Sequence, residues 1–178
     1  MVSSVEAPSL SSRQPVTRRI EGLVQVFTCS QRSFFTNVMA QALRLAGQGT
    51  SVLVVQFLKG GISQGFEHPV QLGQNLDWVR CNLPRCIDAP PLNEEETRSL
   101  IELWHHTQAV VMEGDYELVV LDELSLAIRF GLVSETEVLT FLNQRPRHVD
   151  IILTGPEMPG SLLDMADQIT ELRRSHQP

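Results

Sequence analysis

The residues best placed to do chemistry sit at the ends of apolar runs. The stretch VFTCSQRSFFT, residues 26 to 36, carries Thr28, Ser30, Arg32, Ser33 and Thr36. VVQFLKGG carries Lys59, and LVVLDEL carries Asp122 and Glu123. An apolar strand, a short loop and a helix is the layout that holds a nucleotide phosphate on backbone N–H groups and a helix N-terminus. An Asp-Glu pair closing an apolar strand fits a Walker B motif. There Asp122 would sit in a Mg²⁺ shell and Glu123 would orient a water or a substrate.

The loop lacks the residues that normally do this work. A phosphate cradle needs positive φ at some residues, which glycine adopts freely and other residues adopt at a cost of about 1–2 kcal/mol each. Cys29-Ser30-Gln31-Arg32-Ser33 contains no glycine and would carry that strain more than once. Phe34 stands where a lysine should open the helix, and Phe35 where a Mg²⁺-binding hydroxyl should follow. Each charge-assisted phosphate contact contributes about 1.5–3 kcal/mol. Losing the lysine and the metal contact costs about 3–6 kcal/mol, or ~10²–10⁴ in affinity. What remains is a helix N-terminus, the hydroxyls of Ser30, Ser33 and Thr36, and the guanidinium fork of Arg32, a set suited to weak anion binding. Of fourteen basic residues, Lys59 is the only lysine.

These residues need a scaffold that brings strand ends together. Residues 1–20 are rich in Ser and Pro without apolar periodicity and are expected to be a disordered tail, with a folded domain over 21–178. Strands are predicted near 23–28, 51–57, 116–121, 150–154 and 168–172, with a possible short one at 78–80. Helices are predicted at 33–45, from Asn93 to about Glu113, from Ser134 to about Arg145, and at 161–166. Asn93 with Glu96, and Ser134 with Glu137, have capping-box spacing. Unbroken Val/Leu/Ile strands alternating with helices mean a mostly parallel sheet covered on both faces, with functional loops at the strand carboxyl ends.

The totals narrow the function. The 178 residues suffice for one domain. A net charge of −7 argues against broad nucleic-acid or anionic-membrane binding. No apolar run is long enough to span a bilayer and the N-terminus is polar, so the expected location is the cytoplasm. Cys29, Cys81 and Cys86 lack metal-ligand spacing and are expected as reduced, buried or half-buried thiols. His105 and His106 are adjacent on a helix and point about 100° apart, so they make no metal pair.

The chain resembles the P-loop ATP:corrinoid adenosyltransferases, which act on cob(I)alamin and cob(I)yrinic acid a,c-diamide. The resemblance runs from Gly22 to about Arg173 and rests on GLVQVFT, VVQFLKG, LVVLDEL, NQRPRHVDIILTG and LLDMADQITELR. It implies a P-loop NTPase-like (RecA-like) α/β fold. It also implies ATP and Mg²⁺ as ligands, a corrinoid as acceptor, and a possible homodimer. In the family the first loop reads approximately TGNGKGKTT. Over Thr28 to Thr36 every glycine and both lysines are replaced here, the first lysine by Arg32. Pro156 stands where the family has a basic residue, and RCIDAPPL where it has an aromatic Phe-Thr-Trp segment.

Three readings follow. One is a non-catalytic relative that binds an unknown protein partner, a weak anion or a corrinoid. The second is a working adenosyltransferase in which Arg32 and Lys59 take over the triphosphate contacts. The third is a P-loop-like NTPase of another kind. ATP, Mg²⁺ and corrinoid are expected only where the family activity is retained.

Overall fold

The computed structural model describes residues 21–83 and 85–173, so the expected tail over 1–20 lies outside the described residues. The strands are β1 (Val24–Cys29), β2 (Val52–Gln56), β3 (Val70–Leu72), β4 (Leu76–Arg80), β5 (Leu118–Asp122), β6 (Asp150–Pro156) and β7 (Gln168–Leu172). The helices are α1 (Thr36–Gly47), α2 (Glu94–Glu113), α3 (Leu124–Arg129), α4 (Glu135–Gln144) and α5 (Gly160–Met165). The sheet order is β3-β4-β2-β5-β6-β1-β7, and only the β3–β4 pair is antiparallel. One strand, β6, separates β1 from the strand that ends in Asp122. This is a P-loop NTPase-like α/β fold with helices on both faces.

The central strands are mostly apolar because both their faces are buried, with polar residues only toward their ends. Leu53, Val55, Val119, Leu121, Ile151 and Leu153 point to one face, where they meet residues of α2 to α5. Val52, Val54, Leu118, Val120 and Ile152 point to the other and meet Val38, Met39 and Ala42 of α1. Alternate residues of one strand thus feed two cores.

α2 begins as its sequence predicts. Asn93 Oδ1 accepts from the Glu96 amide at 2.8 Å, and Glu96 Oε2 accepts from the Asn93 amide at 3.1 Å. α4 also forms, but the expected cap at Ser134 does not: the Ser134 side chain makes no capping bond. Its acidic partners are used elsewhere. Glu137 accepts from Trp104 Nε1 at 3.3 Å, and Glu135 accepts from the Ser161 hydroxyl. β3 and α3 were not predicted. β3 is only three residues long and exposed along its length, and α3 spans barely more than one turn.

His105 is exposed, and His106 is half-buried against Phe66, the rings 4.6 Å apart. No helix of the described residues is long and apolar enough to cross a membrane.

Candidate functional site at the strand carboxyl ends

The fold brings the carboxyl ends of β1, β2, β5 and β6 together, and with them most of the residues singled out above. Asp122 closes β5 and is almost fully buried. Its two carboxylate oxygens are both engaged. Thr154 Oγ1, on β6, donates to Oδ1 at 2.7 Å, and Gln56 Nε2, on β2, donates to Oδ2 at 2.8 Å. Burial pushes the Asp122 carboxyl above its ordinary range, and the bonds from Thr154 and Gln56 hold it back down. Gln56 Oε1 in turn accepts from Trp78 Nε1 at 2.9 Å and Arg80 Nε at 2.8 Å.

Glu123 follows in a left-handed conformation, φ 63° and ψ 24°. A non-glycine residue there costs about 1–2 kcal/mol. Two anchors hold it. Its amide donates to Thr154 Oγ1 at 3.1 Å, and its carboxylate receives a two-pronged fork from Arg32. Arg32 Nε lies 2.6 Å from Oε1 and Nη2 2.7 Å from Oε2. Arg32 Nη1 donates to the Ile87 carbonyl and to Asp88 Oδ1, both at 2.8 Å. One guanidinium therefore ties the β1–α1 loop to the β5–α3 junction and to the 85–88 segment. The Glu123 hydrogen bonds hold Arg32 still more firmly protonated than an ordinary arginine.

Lys59 reaches the same carboxylate, with Nζ 3.9 Å from Glu123 Oε1, and lies 5.4 Å from the centre of the Phe34 ring. Gly60, beside it, cannot carry a side chain. A Cβ there would meet the carbonyl oxygens of Arg85 at 2.3 Å and Leu83 at 2.5 Å. That close approach packs the Gly60 backbone against Leu83 and Arg85.

The two phenylalanines part company. Phe35 is 1% exposed and packs edge-on against Phe27, while Phe34 is 48% exposed. No residue from Cys29 to Phe35 has positive φ. The Thr28 hydroxyl donates to the Gly155 carbonyl at 2.9 Å, toward β6. Thr36 is exposed at the start of α1, where no side chain caps the helix. Ser30, Gln31 and Arg32 line a crevice of about 540 Å³ that continues over Ala89, Pro90, Phe130 and Pro156. Ser33 lines a smaller one of about 270 Å³ with Arg32, Phe34, Lys59, Cys86 and Glu123.

Residues 20–178 match the family described as ATP:corrinoid adenosyltransferase BtuR/CobO/CobP. The chain belongs to this family. It is 30% identical over 160 residues to the corrinoid adenosyltransferase CobA of Salmonella typhimurium, covering 85% of this chain and 76% of that one. It is 29% identical to the corrinoid adenosyltransferase of Escherichia coli over the same shares. Against the corrinoid adenosyltransferase of Pseudomonas aeruginosa it is 26% identical, over 85% of this chain and 74% of that protein. Within this family member, sequence reasoning found Arg32, Lys59, Asp122 and Glu123 but missed Gln56 and Asp88. Gln56 did carry a signal: it is a lone polar residue inside the apolar run VLVVQFL.

The cysteines differ from expectation at one position. Cys29 and Cys81 are buried, but Cys86 is exposed because the 85–91 segment runs over the surface. Burial pushes the Cys81 thiol up to about 11, which leaves only about one part in a thousand ionised at pH 8. A thiol-reactive chromophore at pH 8 is therefore expected to label one site quickly, Cys86. Cys29 and Cys81 should follow only when the protein is unfolded, and peptide mapping of the labelled chain checks the order.

Proposed function

We propose that this chain keeps the adenosyltransferase scaffold without the transfer reaction and serves as a binding or regulatory protein. The observation that carries the reading is the Arg32 fork. The one cation in the first loop is spent on Glu123 rather than presented to a ligand. Lys59, the other candidate for a triphosphate contact, leans on the same carboxylate. The loop backbone has none of the positive φ values that gather N–H groups round an anion.

The donor set does not fit a magnesium ion either. Both oxygens of Asp122 accept from Thr154 and Gln56, and both oxygens of Glu123 accept from Arg32. Phe35, in the place of a metal-binding hydroxyl, is packed into the core.

A corrinoid is the family's own ligand class and remains the one to try, beside a protein partner or a weak anion. Calorimetry with Mg-ATP is expected to show no binding at about millimolar concentration. Micromolar binding that disappears in Arg32→Ala would instead support the working enzyme with a rebuilt site. Visible absorbance of added corrinoid then separates a corrinoid-binding protein, whose spectrum shifts on mixing, from one that acts through protein contacts alone.

A further inference from the structure

The two faces of the sheet are covered unequally. Among the described residues, α2, α3, α4 and α5 all feed the core on one face, and α1 is the helix that feeds the core on the other. A helix is about 10 Å wide and strands lie about 4.8 Å apart, so one helix shields about two strands directly. α1 reaches β4 at the start of that strand. There Asn75 Nδ2 donates to the Ala46 carbonyl at 3.1 Å, and Leu76 is buried. Two residues on, Trp78 is only half-buried. Val70 and Leu72 of β3 lie opposite Trp78 and Leu76, so they share this face, and they are 38% and 37% exposed. The result is an apolar strip beside α1, where a parallel sheet ordinarily carries a further helix.

The strip ends in two residues that are fixed before anything docks. Trp78 Nε1 and Arg80 Nε both donate to Gln56 Oε1, at 2.9 and 2.8 Å. Gln56 is fully buried and its amide is held by Asp122. The Arg80 guanidinium carbon lies 5.8 Å from the Trp78 ring centre, and its Nη groups have no acceptor among the described residues. Tryptophan and arginine are the types that most often anchor protein interfaces, and holding them in place beforehand lowers the entropy lost on association.

Charge narrows the occupant. The protein carries a net −7, yet Arg44 is the one charged residue of α1 and β3 has none. Asp77 of β4 points to the opposite face, where it accepts from the Tyr116 hydroxyl at 2.7 Å. The strip is therefore apolar and locally basic, and it suits an acidic partner. A second copy seated on the same strip would bring arginine to arginine. Residues 1–20 carry Arg13, Arg18 and Arg19 against Glu6, the wrong sign for Arg80.

We propose that the exposed face of β3 and β4 beside α1 is a docking surface for an amphipathic helix of another protein, with apolar side chains over Val70, Leu72 and Trp78 and an acidic one on Arg80. The surface is separate from the Arg32 site, so the assignment stands whether or not the chain is catalytic.

The test is an NMR titration of the isotope-labelled full chain with a synthetic helical peptide of about five turns, leucine along one stripe and glutamate beside it. The same peptide with lysine for every glutamate is the control. The acidic peptide is expected to shift the Trp78 indole N–H and the Val70 and Leu72 methyl signals saturably below about 1 mM. The lysine peptide should bind at least about tenfold more weakly. Arg80→Gln should remove most of that preference, and Leu72→Asp, at an exposed position, should abolish binding of the acidic peptide. A soluble gadolinium chelate should broaden the Val70 and Leu72 methyl signals of the free protein at every concentration. The assignment is overturned if neither peptide saturates these signals, if the two bind equally, or if Leu72→Asp binds as the parent does. Broadening that appears only on dilution would give the strip to a second copy, and none at any dilution would give it to another part of this chain; either result also overturns it.

Discussion

Arg32→Ala is expected to lower the melting temperature by about 6–12 °C. The Glu123 side chain is 3% exposed and the Arg32 side chain 29%. Removing one partner of a buried ion pair leaves the other charge without compensation, which typically costs about 3–5 kcal/mol. Here the low end applies, about 3 kcal/mol, because Lys59 stays within 3.9 Å and the Arg32 end of the pair is partly open to water. For a domain of this size each kcal/mol moves the melting temperature by about 2–4 °C.

The left-handed backbone at Glu123 adds to the loss, since the fork is one of the two anchors that hold it. Arg32→Lys keeps the charge but cannot make the paired bonds, so it should recover only part of the stability. The double variant Arg32→Ala/Glu123→Ala should be more stable than Arg32→Ala alone, because no orphan carboxylate remains. Scanning calorimetry of these proteins together with Glu123→Ala gives the coupling directly. A melting temperature for Arg32→Ala within about 2 °C of the parent would mean that Arg32 is not a structural clamp. It would then be free to serve a ligand, as the working-enzyme reading requires.

That clamp shows what a sequence can and cannot disclose. β1, β2, β5 and β6 could be read directly, because a strand buried on two faces is apolar at most positions. α2 could be read from Asn93 and Glu96, whose interaction spans three residues. Arg32 and Glu123 are ninety-one positions apart, and both had been read as groups facing a ligand. Nothing local says that they face each other.

The same limit explains the cap expected at Ser134. Its S-x-x-E spacing is correct, but Trp104 lies thirty-three residues before Glu137 and takes its carboxylate. Local rules give the order of elements, and tertiary competition decides which side chains are left for chemistry. β3 was missed for the opposite reason. It forms by pairing with β4 in a hairpin, and no burial marks it.

Gln56→Leu should be a strongly damaging change despite its similar volume. Leucine fills nearly the same volume, so packing alone predicts a small effect. Gln56, however, is fully buried and joins three groups. Its amide donates to Asp122, and its carbonyl accepts from Trp78 and Arg80. Each polar group orphaned by the change costs about 1–3 kcal/mol. Trp78 and Arg80 are half-buried and can recover water, whereas Asp122 cannot, so the total is about 4 kcal/mol. That is a large share of the 5–15 kcal/mol typical of a domain.

The loss should also depend on pH in a definite direction. The folded state already raises the Asp122 carboxyl above its ordinary value of 3.8, and removing the Gln56 donor raises it further. A carboxyl raised in the folded state contributes stability that is fully present below its unfolded value. That contribution is lost as pH rises through the folded value. The deficit of Gln56→Leu relative to the parent should therefore be smallest near pH 4 and grow toward pH 7. Urea denaturation of both proteins across that range measures it. A deficit that stays constant or shrinks with rising pH would mean that Asp122 does not depend on Gln56 for its charge. The buried link from β5 through β2 to Arg80 would then be packing and nothing more.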